Sequence, residues 1–151
     1  MARVGSFYEK IEDTRNSSLK KADLSDLPFI SEMDTICFNT DYTVMLNRFQ
    51  ETIYDPDRQI WLLHLEHQVI GKCHLEFDEK GVYIHNFCIL PTHQKLGYGT
   101  IFLKLMINQL MDAHYDYLYL DLIAEKASAL HIYQHCHFMV VHTDEYQVVL
   151  I

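Results

Sequence analysis

Cys88-Ile89-Leu90-Pro91-Thr92-His93-Gln94-Lys95-Leu96-Gly97-Tyr98-Gly99-Thr100, continued by Ile101 to Ala113, reads as a strand, a glycine turn and an amphipathic helix. Phe87 to Leu90 is apolar and stops at Pro91, which cannot donate to a sheet ladder. Gly97 and Gly99 bracket one residue, and a helical pattern follows at once, with Ile101, Phe102, Leu105, Met106 and Leu110 on one face. The first N–H groups of such a helix have no partner within it, and they sit at the positive end of its dipole. Together they make a ready anion site, and glycine lets the backbone come close to the ligand. The stretch predicts a phosphate-binding loop, although Gly-x-Gly alone is also found in ordinary turns.

The kind of loop follows from what is missing. A Walker loop needs Gly-Lys-Ser/Thr at its end, and a dinucleotide fingerprint needs a third glycine where Phe102 stands. The order strand, Pro91, Gln94, Gly97, Gly99, helix instead resembles the coenzyme-A pyrophosphate loop of the GNAT superfamily of N-acetyltransferases. The resemblance implies acetyl-CoA as co-substrate, with its pyrophosphate on the amides of Leu96, Gly97, Tyr98, Gly99 and Thr100. Gln94 is expected to close the loop, and Lys95 either screens phosphate charge or is simply solvated.

Working outward, 151 residues make one domain, with 49% hydrophobic and 22% charged content fitting a globular chain. No apolar run approaches the roughly 18 residues of a membrane span, and the start lacks a signal core. Cys37, Cys73, Cys88 and Cys136 have no Cys-x-x-Cys spacing, so reduced thiols in the cytoplasm are expected. The net charge of −9 disfavours nucleic acid and suits a cationic partner such as an amine, though it also serves solubility. His131 and His135 fall on one helix face that could hold zinc or merely face water. No His-Glu-x-x-His accompanies them, and no metal is expected.

Residues 1–16 read as the tail of a preceding domain, an added edge strand or an arm; residues 17–151 read as the domain proper. Ser18 to Ala22 predicts a strand. Asp23 or Ser25 then caps a helix with Pro28 in its first turn, and Asp41 or Thr43 starts a second, Val44 to Ile53. Gln59–Leu65, Gln68–Phe77 and Val82–Leu90 predict three antiparallel strands. After the loop and its helix come a strand over Asp116–Ile123, a helix over Ala127–Cys136, and strands over Met139–His142 and Tyr146–Ile151. The order β-α-α-β-β-β-α-β-α-β-β matches the GNAT fold, an α/β (α+β) class with a mixed, mostly antiparallel sheet flanked by helices.

In that family the last helix carries asparagine, alanine, tyrosine and a closing Gly-Phe. Here the run is Lys126, Ala129, Tyr133, His137 and Phe138, so the asparagine and glycine are replaced. The resemblance gives Lys126 the pantetheine contact and Tyr133 the general-acid position beside the CoA sulfur, against a plain buried tyrosine. It also lays Phe87, Cys88 and Ile89 along the acetyl-pantetheine, with the Ile89 N–H on the thioester oxygen. By the two-residue period Tyr83, His85, Phe87 and Ile89 share a face, which points His85 into the same cleft as a candidate base. A strand histidine satisfied by a neighbour is the other reading. The expected reaction is acetyl transfer to a primary amine, small molecule or peptide, by direct attack in a ternary complex. A degenerate CoA-binding sensor is the alternative, and homodimerisation is left open.

Overall fold

The computed structural model describes residues 13–115, 117–121, 136, 138–142 and 147–150. Its strands are β1 (Ser17–Lys21), β2 (Arg58–Leu65), β3 (Gln68–Phe77), β4 (Val82–Ile89), β5 (Leu118–Asp121), β6 (Phe138–His142) and β7 (Gln147–Leu150). The helices are α1 (Leu27–Phe38), α2 (Tyr42–Tyr54) and α3 (Tyr98–Asp112). One seven-stranded sheet runs in the order β1-β2-β3-β4-β5-β7-β6. Its pairs are antiparallel except β4 with β5, which are parallel. The described elements follow the order expected from the sequence, and the helix expected over 127–136 lies, apart from Cys136, outside the described residues.

Local chemistry sets the boundaries. Asp23 caps a single 3-10 turn rather than α1 itself, and α1 begins at Leu27 with Pro28 in its first turn. Asn39 ends α1 in the left-handed region, φ 56°. The Asp41 side chain accepts from the Val44 N–H at 3.0 Å and starts α2. Asp78 Oδ1 accepts from the Lys80 and Gly81 N–H groups at 2.8 and 2.9 Å, which turns the chain from β3 into β4.

The two faces of the sheet are covered differently. α3 lays Phe102, Leu103, Met106 and Ile107, all fully buried, against Cys73, Leu75, Ile84 and Ile89. Gly71 lets α3 approach, because a Cβ there would stand 2.8 Å from Ile89 Cδ1 and 3.1 Å from the Phe102 ring. On the other face α1 and α2 bury Ile30, Met45 and Phe49 against Ile60 and Leu62. Each fully buried side chain of this size contributes about 1.5–3 kcal/mol. No helix among the described residues is long and apolar enough to cross a membrane.

Candidate active site

The glycine turn is built as an open cradle. Pro91–His93 form a 3-10 turn directly after β4, and Gln94 Nε2 reaches back to donate to the Ile89 carbonyl at 2.8 Å. Gln94 therefore closes the loop, as its place in the motif suggested. Gly97 takes φ 93°, a left-handed conformation that strains any side-chain-bearing residue. Ile101 donates to the Gly97 carbonyl at 3.2 Å, and among the described residues it is the first N–H of α3 with a backbone acceptor. Among the described residues the amides of Tyr98, Gly99 and Thr100 have no backbone acceptor. Lys95 and Leu96 are exposed around this opening.

A residue that the sequence reading missed stands over the cradle. The Arg15 guanidinium donates from Nη1 to the Leu96 carbonyl and lies 5.6 Å from the centre of the Tyr98 ring. Its Nη1 and Nη2 are 3.2 and 3.3 Å from where a Cβ on Gly97 would be. A planar cation beside free amides suits a diphosphate, because each guanidinium N–H not used on Leu96 can donate to a phosphate oxygen. The residues present therefore fit the pyrophosphate of acetyl-CoA. Arg15 was hidden because its segment carries no periodic pattern, and only the fold brings it across to residue 96.

Strand β4 corrects one expectation. Opposed residues on neighbouring strands share a face, and the register pairs Glu76 with Tyr83, His74 with His85, and Lys72 with Cys88. The register slips between Lys72 and His74, and Asn86 turns left-handed at φ 52°. This bulge reverses the alternation. Tyr83, His85 and Cys88 face α1 and α2, whereas Phe87 stacks on Phe102 at 5.2 Å and Ile89 joins the α3 core. His85 thus does not share a face with Phe87 and Ile89.

The edge of β4 towards β5 is only partly paired among the described residues. Parallel pairing with β5 runs over Val82–Leu118 and Tyr83–Tyr119, and among the described residues no β5 partner follows for Ile84 onward. Leu90 donates to Ile70 at 2.8 Å across β3. In the alternation of antiparallel bonding, Ile89 then turns its N–H and C=O off β3 and towards the β5 side. The Gln94 amide already holds that carbonyl, which fixes the direction of the Ile89 N–H.

Beneath His85 lies a buried polar layer. Lys72 is fully buried and ion-paired to Asp34 of α1 at 2.9 Å, with its Nζ 3.0 Å from His74 Nε2. Thr40 Oγ1 donates to the second Asp34 oxygen at 2.6 Å. The rings of Phe38 and Phe49 lie 5.6 and 4.8 Å from the ammonium. Since an ammonium only donates, His74 Nε2 accepts and the ring proton belongs on Nδ1. His74 meets His85 at 5.5 Å between ring centres, His85 stacks on Tyr83 at 4.8 Å, and His85 Nε2 is 3.6 Å from Glu76 Oε2. Lys72 and His74 gave no signal in the sequence beyond interrupting an apolar strand.

Burial, then the neighbouring Lys72 cation, hold the His74 imidazole well below its usual range. The unfolded chain titrates this group near its ordinary value of about 6.5, so below that pH it binds more protons than the folded chain. Stability is therefore expected to fall as pH drops below about 6.5, by up to about 1.4 kcal/mol per pH unit from this group. Denaturant unfolding of the parent and of His74→Gln across that range checks it: the variant should show the flatter slope, and equal slopes would refute the assignment.

The remaining expected residues, Lys126 and Tyr133, lie outside the described residues, as do His131 and His135. Among the described residues no group of three or more histidine, cysteine or acidic side chains could hold a metal.

Comparison with known proteins accords with this geometry. No curated protein matches the chain. Among solved structures, a chimera of Vibrio cholerae spermidine N-acetyltransferase SpeG with hSSAT is similar at TM-score 0.72 and 18% identity, over 87% of this chain and 91% of that one. A dodecameric spermidine N-acetyltransferase from Vibrio cholerae is similar at TM-score 0.71 and 18% identity, over 89% and 90%. The ribosomal-protein-S18-alanine N-acetyltransferase of Escherichia coli is similar at TM-score 0.71 and 16% identity, over 88% and 90%. At such identities these likenesses show the shared fold. The sequence itself matches the Acetyltransferase (GNAT) family over residues 27–138, most of its length. With the glycine turn, the bulged β4 and the matching sheet in place, the chain belongs to the GNAT family of acetyltransferases, a family whose co-substrate is acetyl-CoA.

Proposed function

We propose that residues 17–151 carry an acetyl group from acetyl-CoA to a primary amine, small molecule or peptide, by direct attack in a ternary complex. The observation that carries this reading is the row of α3 amides at Tyr98–Thr100 without a backbone acceptor among the described residues, set beside the edge of β4 that has no strand partner among them from Ile84 onward. Acetyl-CoA supplies the activated thioester. The amides and Arg15 grip its diphosphate, and Ile89 N–H donates to the carbonyl oxygen as negative charge builds there. Phe87 and Cys88 flank that position along β4.

A free amine is mostly protonated near neutral pH, so it must lose a proton before or during attack. His85 accepts that proton, directly or through water, from the α1–α2 side of the sheet. Glu76, 3.6 Å away, favours the imidazolium that results. The two reactants thereby approach β4 from different sides, which suits direct transfer. Tyr133 returns a proton to the departing thiolate, and Lys126 takes the pantetheine contact. The net charge of −9 supports a cationic acceptor, and the proposed setting is the cytoplasm.

Lys126 and His137, standing where the family has asparagine and glycine, favour a second reading: a CoA-binding domain without turnover. Kinetics separate the two. Tyr133→Phe and His85→Gln are each expected to lower kcat by about 10²-fold or more while acetyl-CoA affinity stays within a few-fold. Unchanged turnover in either variant removes that residue's role, and absence of turnover over a broad amine panel favours the second reading.

A further inference from the structure

We propose that Cys37 and Cys88 form a reversible disulfide that fastens the end of α1 to β4. Two pairs of residues create the site. Asp34 and Cys37 lie at i and i+3 on α1 and share a helix face. Lys72 and Cys88 are directly opposed on β3 and β4 and share a sheet face. The Asp34–Lys72 ion pair, 2.9 Å and almost fully buried, presses these two faces together. One helical turn further on, the same two faces carry Cys37 and Cys88.

Cys37 Sγ donates to the carbonyl of Ile89, the residue next to Cys88, at 3.7 Å, and the neighbouring Cys37 thiol, then burial, push the Cys88 thiol well above its usual range. Cys88 is buried, at 8% exposure, whereas Cys37 is partly open to solvent at the α1 terminus. This is the arrangement of an outer thiol that meets an oxidant and an inner thiol that resolves it. Cys73 is placed differently. It sits on the opposite sheet face, fully buried, and burial pushes its thiol up to about 12.

The chemistry balances with a hydroperoxide as oxidant. Cys37 sulfur attacks the peroxide oxygen, the O–O bond breaks, and Cys37 becomes a sulfenic acid while one water leaves from hydrogen peroxide. Cys88 sulfur then attacks the Cys37 sulfur, the S–O bond breaks, and the Cys88 proton leaves with the hydroxide as a second water. Two thiols lose two electrons in all, and the peroxide takes them. A dithiol reductant reverses the step by exchange.

The test exposes the folded full chain to hydrogen peroxide, alkylates remaining thiols, and maps peptides without reduction. Most chains are expected to carry a Cys37–Cys88 link that dithiothreitol removes, with Cys73 and Cys136 alkylated only after unfolding. Cys37→Ser should leave Cys88 as a thiol under the same treatment. Should that variant fold poorly, the map of the parent chain decides alone. Cys37 recovered as sulfinic or sulfonic acid beside a free Cys88, links only between chains, or no oxidation would each overturn the proposal. The readout is independent of acetyl transfer, so a chain that forms the bond yet acetylates no amine upholds the disulfide and counts only against the proposed activity.

Discussion

Gly97→Asp is expected to weaken acetyl-CoA binding by about 10²-fold or more while the domain stays folded. Three effects add. At φ 93° any side chain is strained, at a cost of about 1–2 kcal/mol in a surface loop, which a domain of typical stability survives. The new carboxylate would stand where Arg15 now is, with guanidinium nitrogens 3.2 and 3.3 Å from its Cβ, and would take that cation for itself. It would also accept from the amides at Tyr98–Thr100 and repel an arriving diphosphate. A loss of about 2.7 kcal/mol corresponds to 10²-fold, and one like-charge contact with the loss of one charged hydrogen bond reaches it. Titration calorimetry with acetyl-CoA, beside a circular-dichroism melt, gives the answer. Unaltered affinity in a folded variant would move the CoA site away from this loop. Gly97→Ala is the informative control, since it keeps the strain and removes the added charge.

The second large effect concerns stability. Lys72→Met is expected to destabilise the fold by about 3–5 kcal/mol, read from denaturant midpoints, because it leaves the Asp34 carboxylate in a dry interior. Asp34 is 1% exposed, and of the partners described above only Thr40 Oγ1, at 2.6 Å, would still donate to it. Asp34→Asn is expected to be the milder of the single changes, since a neutral amide can still accept from the ammonium. Replacing both partners, as Lys72→Met with Asp34→Leu, should recover much of the loss, as buried ion pairs exchange well for apolar pairs of similar volume. Additive losses in that cycle would mean that the two groups do not act as a pair. The pair also fixes α1, the wall of the proposed acceptor side, against β3, so a weakened pair is expected to raise KM for the amine.

Particular residues show how far the sequence could be read. Pro91, Gln94, Gly97 and Gly99 announced the loop, while the particular contact by which Gln94 closes it, the Ile89 carbonyl, came from the fold. The helix after Gly97 and the hairpin turn at Asp78–Gly81 were equally legible. The two-residue period, applied along β4, put His85 on the face of Phe87 and Ile89; one left-handed residue, Asn86, undid it. Arg15 was passed over inside a segment without pattern. Asp34, Lys72 and His74 carried no signal in the sequence, although each is buried and each has a partner.

What the sequence determined by itself was therefore the succession of elements and the glycine turn that opens α3. Both rest on rules that act over a few residues: where proline ends a ladder, where glycine permits an angle, how often apolar side chains recur. The tertiary structure alone decided which face each β4 side chain took, which distant cation reached the cradle, and that a lysine could lie in the core. Those outcomes depend on contacts between segments far apart in the chain. A bulge is set by the register of a neighbouring strand, and a buried charge is tolerated only when folding brings its counter-charge to it.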